Sequence, residues 1–160
     1  MPNKTALNQV ELTKEGLEDL QSELRELKEV RLPAVVQRVA KAREYGDLSE
    51  NAEYHSAKEE QEFIETRADE IAGILAKATL VKQTKSTTSV GIGSKVEITK
   101  KGSKSSRTIT IVGEYEANPT ENKVSSVSPL GKALIGKKKG DTISFKAPAG
   151  PMEYTIKDLG

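Results

Sequence analysis

Residues 42–55 read AREYGDLSENAEYH, and this stretch separates two long helical patterns. The pattern before it is an apolar seam with spacings of three and four residues, typical of a coiled coil: Leu17, Leu20, Leu24 and Leu27. Thr13 is a suitable N-cap for that helix. Gly46 is a natural place for it to end, because glycine accepts the left-handed conformation that closes helices.

One position interrupts this first seam. Arg31 would occupy the next seam position, and Pro33 follows it. A proline inside a helix removes one backbone hydrogen bond and clashes with the preceding turn. We predict a kink rather than a stop, because an apolar stripe resumes at Val35, Val36, Val39 and Ala42.

The pattern after residue 51 is more regular. Its apolar seam runs without interruption through Tyr54, Ala57, Gln61, Ile64, Ala68, Ile71, Leu75 and Ala78. Two long helices joined by a short connection must run antiparallel. With about 30 residues each, they would be about 45 Å long. A two-helix hairpin buries one seam per helix, which suits a chain that is 31% charged.

The second half of the chain predicts a different domain. Residues 81–94 are rich in Lys, Thr, Ser and Gly and are interpreted as a linker. Alternating strands are predicted at 96–98, 108–112, 124–127, 142–146 and 152–156, with turns at 101–103 and 148–151 and a helical turn at 131–135. The predicted class is α+β. A helical hairpin over 1–80 is followed by a small, mostly antiparallel β domain with a short helix over 95–160.

Composition excludes several classes of protein. The chain has no cysteine, so disulfides and thiolate metal sites are excluded. Neither a signal peptide nor an apolar stretch of membrane-spanning length is evident, so a cytoplasmic protein with no membrane partner is expected. Residues 1–80 carry a net charge of −6 and residues 81–160 one of +7. The basic half could contact nucleic acid, but it lacks clustered aromatic residues for stacking on bases.

Asp47 and Glu50 lie between the two helical patterns, three residues apart. This spacing fits a capping box, in which Asp47 caps the second helix and Glu50 reaches back to it. It also presents two carboxylates, which are ligands that Mg²⁺ prefers. Alone they would bind Mg²⁺ weakly, but they could complete a site on a partner. Both interpretations stay open, since a carboxylate has more acceptor capacity than one cap uses.

Two motifs resemble one known family. Residues 42–55 resemble the hairpin-tip signature of the bacterial Gre transcript-cleavage (transcription elongation) factors, and residues 128–137, SPLGKALIGK, resemble a C-terminal segment of that family. The motifs lie in different halves of the chain, and the domain plan between them also matches. The few basic residues near the tip favour the GreA type.

The resemblance implies an accessory factor rather than an enzyme. Gre factors insert the hairpin into the secondary channel of bacterial RNA polymerase, while an FKBP-like C-terminal domain docks at the channel rim. There they stimulate the polymerase's own cleavage of the nascent RNA 3′ end in backtracked complexes. No cofactor would be bound tightly by the factor alone. Its tip carboxylates would share Mg²⁺ with the polymerase active site.

The resemblance also assigns roles to residues of this chain. Asp47 and Glu50 would be the metal ligands. The remaining expected roles are tip support by Gly46, Asn51 and Tyr54, RNA contact by Arg43 and Lys58, and polymerase docking by Ser128, Pro129 and Leu130. Without the resemblance, Arg43 and Lys58 would be ordinary helix-surface charges, and Ser128-Pro129 would be a turn.

Other functions fit the sequence less well. A Gre-like inhibitor that blocks the channel would not need the two carboxylates. A prolyl isomerase needs an aromatic pocket, but residues 81–160 contain only Tyr115, Phe145 and Tyr154 as aromatics. A coiled-coil adaptor would not need the 46–55 motif. His55 alone makes a poor zinc site, and Lys137, Lys138 and Lys139 fit a solvated turn better than a phosphate site.

Overall fold

The structure is a computed structural model that describes residues 9–82 and 88–160. It divides into two compact units. The helical unit is Leu17–Lys77, and the sheet unit comprises the residues up to Gly16 and those from Ala78 onward. Within the described ranges, no helix is long and apolar enough to cross a membrane.

The helical unit is an antiparallel hairpin. Its first arm contains α1 (Lys14–Glu26), a π-helical turn (Leu27–Arg31) and α2 (Leu32–Arg43), and its second arm is α3 (Ala52–Ala76). Ion pairs join the arms, at 2.7 Å between Arg67 and Glu23, 3.9 Å between Arg31 and Glu60 and 2.9 Å between Arg38 and Glu53. Residue numbers rise along one arm as they fall along the other, which establishes the antiparallel direction.

The π turn is the way the first arm accommodates Pro33. Leu32 N–H donates to the carbonyl of Leu27, one residue farther back than in an α-helix. Pro33 itself lies in the first turn of α2, directly after the π turn. The helix therefore continues through this region, as predicted, but the local feature is a π turn.

The extra residue in the π turn shifts the apolar seam. An unbroken heptad that places Leu27 in the seam would next use residues 31, 34, 38 and 41. The buried residues after the turn are instead Val35, Val39 and Ala42. Each is one residue later than the heptad predicts. Arg31 and Arg38 are thereby moved out of the seam and remain largely exposed.

The second arm keeps its predicted seam. Its buried residues are Ala57, Ile64, Ala68, Ile71 and Ile74, with Tyr54, Gln61 and Leu75 half-buried. The predicted seam ends before Ala78, which belongs to a β-strand instead. A side chain on the second arm is thus buried about every three to four residues, so one stripe of each helix supplies the hairpin's core.

A pair of short parallel strands was missed by the sequence analysis. Val10–Leu12 (β1) pairs with Ala78–Leu80 (β2), so the hairpin is the crossover connection that parallel strands require. Strands of three residues are too short to show alternation. Both belong to the sheet unit, so the boundaries differ from the hairpin domain predicted over 1–80.

The last residues of the predicted linker at 81–94 are part of the sheet unit in the structure. Val90 and Ser94 are buried, and Val90 belongs to the apolar core of the sheet unit. Residues 83–87 of the predicted linker lie outside the described residues. The sheet unit therefore begins to pack before residue 95.

The larger sheet has five strands: β3 (Lys95–Lys100), β4 (Ser106–Val112), β5 (Lys123–Ser125), β6 (Thr142–Ala147) and β7 (Gly150–Leu159). Their order is β5-β4-β3-β7-β6, and only the β4–β5 pair is parallel. The short helix α4 (Pro129–Leu134) lies between β5 and β6 in sequence. The predicted α+β class is confirmed, with a helical hairpin followed by a mostly antiparallel sheet.

The core of the sheet unit uses the inward positions of these strands. Its buried residues are Val90, Val96, Ile98, Ile109, Ile111, Leu134, Ile143, Ile156 and Leu159. Alternate residues on β3 and β4 point inward, as the strand period requires. Leu134 brings α4 onto the same core, so the helix covers an apolar face of the sheet.

The start of α1 is held within the sheet unit by Glu116. The predicted cap is confirmed, since Thr13 Oγ1 accepts a hydrogen bond from Gly16 N–H at 3.1 Å. The Glu116 carboxylate accepts from Thr13 N–H at 2.9 Å, from the Thr13 hydroxyl, and from Gly113 N–H at 3.1 Å. These bonds satisfy buried donors that would otherwise be unpaired at a helix N-terminus.

We predict that Gly131→Ala destabilises the sheet unit. A Cβ at this position would lie 2.0 Å from the carbonyl oxygen of Ser125, a backbone atom that cannot rotate away. The expected loss in the free energy of unfolding is about 1–3 kcal/mol, measured by urea denaturation with amide NMR peaks that report each unit separately.

The matched control is Gly73→Ala on α3. A Cβ there would meet no atom within 4 Å. Because alanine is the better helix former, we expect the helical unit to gain about 0.5–1 kcal/mol. Equal stability changes in the two variants would show that the approach of Gly131 to Ser125 is not a packing constraint.

Candidate functional site

The hairpin tip is an exposed loop, residues 44–51, between α2 and α3. Gly46 lies in this loop with a φ of +107°. A Cβ at Gly46 would meet no atom within 4 Å, so the backbone angle and not the available space calls for glycine. The predicted role of Gly46 in ending the first arm agrees with this conformation.

Asn51 organises the second side of the loop. It is the N-cap of α3, and its Oδ1 accepts a hydrogen bond from Tyr54 N–H at 3.0 Å. Its Nδ2 donates to the carbonyl of Ala42 on the opposite arm at 2.6 Å. One amide side chain thus caps α3 and fastens its start to the end of α2.

The capping-box interpretation of Asp47 and Glu50 is therefore wrong. Because α3 begins at Ala52, the cap position falls on Asn51 and not on Asp47. A carboxylate could accept the hydrogen bond from the helix, but it could not donate to the carbonyl of Ala42. The helix terminus uses neither acidic side chain.

Asp47 instead closes a local turn. Its Oδ1 accepts from Ser49 N–H at 2.9 Å and from the Ser49 hydroxyl at 2.7 Å. These two hydrogen bonds, with the hydroxyl as the larger contribution, hold the pKa of the Asp47 carboxyl below its ordinary value. Asp47 Oδ2 has no partner among the residues that the structure describes. The carboxylate is thus oriented and ionised, with one oxygen available.

Glu50 lies beside the cap and is exposed. Within residues 9–82 and 88–160 it makes no hydrogen bond or ion pair. The described residues also contain no cluster of three or more side chains that could hold a metal ion. Asp47 and Glu50 can therefore offer carboxylate oxygens to a hard cation such as Mg²⁺, whose remaining ligands would come from elsewhere.

Arg43 and Tyr54 lie on opposite sides of the loop and meet across it. The guanidinium carbon of Arg43 is 5.8 Å from the centre of the Tyr54 ring, a cation–π contact. Tyr54 also packs edge-on against His55, with ring centres 5.6 Å apart. The contact with Tyr54 restricts the exposed guanidinium of Arg43 next to the tip. The contact of His55 with Tyr54 agrees with a packing role for this histidine.

Lys58 lies one turn farther along α3. Its Nζ donates to Gln61 Oε1 at 3.4 Å, and the residue is half-buried. The structure therefore places both predicted RNA-contacting cations, Arg43 and Lys58, on the tip half of the hairpin. Whether either contacts RNA stays a prediction.

Arg38 is a feature of this region that the sequence analysis missed. Its Nε and one terminal nitrogen donate to Glu53 Oε1 at 3.2 and 2.9 Å, and its other terminal nitrogen pairs with Glu60. Hydrogen bonds with Glu53 and then Glu60 raise the pKa of Arg38. An unbroken heptad would bury residue 38, so only knowledge of the seam shift after the π turn could have indicated that Arg38 is exposed and pairs with Glu53 and Glu60.

The predicted docking segment has a structural role of its own. Ser128 is the N-cap of α4, because its Oγ accepts from Gly131 N–H at 3.0 Å and donates to the Ser125 carbonyl at 2.7 Å. Pro129 occupies the first turn, where a missing N–H costs nothing. Leu130 packs against the core. Local structure therefore explains this motif, and docking remains a prediction for Ser128, Pro129 and Leu130.

The lysine run at 137–139 forms part of a turn. Lys138 N–H donates to Asp141 Oδ2 at 2.8 Å, and Lys139 pairs with Asp158 at 2.9 Å. Gly140 completes the turn with a φ of +91°. These contacts agree with the interpretation as a solvated turn.

We predict that Ser49→Ala raises the pKa of Asp47. The substitution removes the hydroxyl that donates to the carboxylate but keeps the backbone N–H, so part of the downward shift remains. The wild-type carboxyl should therefore stay ionised to a lower pH than that of the variant. Titration of the Asp47 carboxyl carbon by NMR measures both values.

Ser56→Ala is the matched control, since Ser56 is exposed on α3 close to the tip. It should leave the pKa of Asp47 unchanged. An Asp47 pKa that is the same in Ser49→Ala as in the wild type would contradict the hydrogen-bonded turn.

Comparison with known proteins identifies the family. The family model described as "Transcription elongation factor, N-terminal" matches residues 10–80. A second family model, described as "Transcription elongation factor, GreA/GreB, C-term", matches residues 84–160. A transcription elongation factor GreA from Ruegeria pomeroyi is 41% identical, covering 96% of this chain and 98% of the relative. Another from Acidiphilium cryptum is 46% identical, covering 91% and 93%.

Solved structures of related factors also match over most of their length. The GreA factor homolog 1 (Gfh1) of Thermus thermophilus is 32% identical, covering 95% of this chain and 99% of that one, with a TM-score of 0.44. The family predicted from residues 42–55 and 128–137 is confirmed by the sequence matches, which span both halves. The chain belongs to the GreA/GreB family of transcription elongation factors.

Proposed function

We propose that this chain inserts its hairpin tip into the secondary channel of bacterial RNA polymerase. There it stimulates the polymerase's own Mg²⁺-dependent cleavage of backtracked nascent RNA. The observation that carries the proposal is that Asp47 and Glu50 keep carboxylate oxygens without a hydrogen-bond partner among the described residues. Asn51 satisfies the helix terminus, so Asp47 Oδ2 and Glu50 remain available to a ligand. Membership in the GreA/GreB family supports the same function.

The donor set fits Mg²⁺. This ion prefers carboxylate oxygens, commonly takes only one or two from a protein, and completes its shell with water and phosphate. Asp47 and Glu50 would hold it together with ligands of the polymerase active site. An ion held in this way would supply an activated water for attack on a phosphodiester, and together with the polymerase's own Mg²⁺ it would stabilise the attacking and leaving oxygens.

The remaining tip residues would orient the carboxylates and the RNA. The two bonds from Ser49 fix the direction of Asp47 and keep it ionised. Arg43, held over Tyr54, would offer its charge to a phosphate of the extruded RNA 3′ end, and Lys58 would do so one turn farther along. Because Asp47 and Glu50 would add ligands to a site that the polymerase itself holds, the factor would act as an accessory and not as a nuclease alone.

The sheet unit would supply docking. The segment Ser128-Pro129-Leu130 is the proposed contact with the polymerase, and the exposed side chain of Val127 beside it offers apolar area for such a contact. Because transcription is the process served, the protein would work in the cytoplasm.

We predict that Asp47→Asn and Glu50→Gln each reduce stimulated cleavage by about tenfold or more. The amides keep the size of the side chains but lose the negative charge that a metal needs. The measurement uses stalled, backtracked polymerase complexes with 3′-labelled RNA and Mg²⁺, and it follows release of short 3′ fragments. Affinity for the polymerase, measured in parallel, should change little because the docking surface is intact.

Glu62→Gln is the matched control, since Glu62 is an exposed acid on α3 away from the tip. It should cleave like the wild type. Normal cleavage by both tip variants would overturn the metal-ligand role. Binding of the wild type without fragment release would instead support a factor that only blocks the channel.

A further inference from the structure

Arg38 contacts the first and the third turn of α3. Glu53 lies in the first turn, and Glu60 lies seven residues later on the same side. The guanidinium forms two hydrogen bonds to one oxygen of Glu53 and a third bond to Glu60, to which Arg31 also pairs at 3.9 Å. A planar guanidinium with several fixed donors can bridge two carboxylates, whereas an ammonium group is a single point charge.

Arg38 reaches these carboxylates because of the π turn. Without the extra residue of the Leu27–Arg31 turn, residue 38 would face into the seam. Val39 is buried in its place, and the Arg38 side chain is 43% exposed. The same shift places Arg31 beside Glu60. The irregularity at Pro33 thus has a consequence nearer the tip, where it creates a flank of cross-arm ion pairs.

These ion pairs act on the base of the tip loop. The loop has two ends, Arg43 in α2 and Asn51 before α3. The Asn51 amide ties them at Ala42, and Arg38 ties them again one turn farther back. Glu50 precedes Asn51 directly, so its position depends on how firmly the first turn of α3 is held. The Asn51 contact alone would let the start of α3 rotate relative to α2, whereas the Asn51 and Arg38 contacts together fix the angle between the two helices.

We propose that Arg38 is a positioning residue that holds the first turn of α3 against α2 and thereby orders the tip loop that presents Asp47 and Glu50. This inference rests on the proposed function, because it assigns the ordered loop to metal binding. Arg38 does not touch the metal in this account. Its role is to keep the two carboxylates pre-arranged, so that less order must be imposed when the metal binds.

Arg67 provides a matched control on the same hairpin. It pairs across the arms with Glu23 at 2.7 Å and with Glu70 at 3.5 Å, and its side chain is 36% exposed. It therefore resembles Arg38 in chemistry and exposure. It lies 16 residues after Asn51, which is roughly 24 Å along the helix from the tip. A general effect of hairpin stability would appear in both variants, and a positioning effect only in Arg38→Gln.

The first experiment measures the Mg²⁺ concentration that gives half-maximal cleavage in backtracked polymerase complexes. We expect Arg38→Gln to raise this concentration roughly two- to fivefold, while polymerase affinity and the rate at saturating Mg²⁺ stay unchanged. Arg67→Gln should keep the wild-type Mg²⁺ dependence. Arg38→Lys should fall between the wild type and Arg38→Gln, because lysine keeps the charge but cannot bridge both carboxylates.

The second experiment uses the free protein and needs no polymerase. Hydrogen exchange of Tyr54 N–H, which donates to Asn51, reports opening of the first turn of α3. It should quicken roughly two- to fivefold in Arg38→Gln and remain unchanged in Arg67→Gln. Glu53→Gln should have a similar effect, and combining it with Arg38→Gln should add little, because both changes remove the Arg38–Glu53 hydrogen bonds that hold the first turn.

The outcomes separate this inference from the proposed function. An unchanged Mg²⁺ dependence in Arg38→Gln, or an equal shift in Arg67→Gln, would overturn the positioning role while leaving the cleavage function intact. If the wild type stimulates no cleavage but the exchange result holds, the proposed function fails and the ordering of the loop by Arg38 stands. Unchanged exchange in Arg38→Gln would refute that ordering directly.

Discussion

A helix that begins in solvent has backbone N–H groups that need acceptors, and at the hairpin tip Asn51 supplies one. Its amide accepts from Tyr54 N–H and donates to the Ala42 carbonyl, so a single side chain caps α3 and joins the two arms. The availability of carboxylate oxygens at the tip depends on this arrangement. If Asp47 and Glu50 formed a capping box, the Glu50 carboxylate would be engaged by the helix start as well, and the loop would offer fewer free oxygens.

The position of the cap also explains the division of work within the loop. Among the residues that the structure describes, Asp47 bonds to Ser49 alone, in a turn that lowers the pKa of its carboxyl. Glu50 has no partner among the described residues. Asp47 Oδ2 and the Glu50 carboxylate thus remain exposed to solvent. Exposed charges of this kind contribute little to folding.

Much of the fold could be predicted from local patterns. The seams of both arms, the cap at Thr13, the four longer strands of the larger sheet and the short helix follow from periods of 3.6 and 2 residues and from turn residues. The β1–β2 pair could not, because three residues carry no period and their partners are 68 positions apart. The π turn could not be predicted either. Pro33 indicates that the helix is disturbed there, but the sequence around it does not decide between a kink and a π turn with one extra residue.

The candidate site shows a similar limit. Residues 42–55 identify the family, yet the spacing of Asp47 and Glu50 by itself favours a capping box, which is wrong. Two facts were needed to correct it: the start of α3 at Ala52 and the approach of Asn51 to Ala42. Contacts between arms are set by packing. Arg38 therefore appears as an ordinary surface charge in the sequence and as a bridge between carboxylates in the structure.

The proposed function requires that the tip carboxylates complete a metal site on a partner. The most direct measurement replaces Mg²⁺ by Mn²⁺ and counts bound Mn²⁺ by electron paramagnetic resonance in backtracked polymerase complexes. We expect one additional bound ion when the wild-type protein is added, and none when the protein carries both Asp47→Asn and Glu50→Gln. The same number of bound ions with the wild type and with the double variant would contradict it.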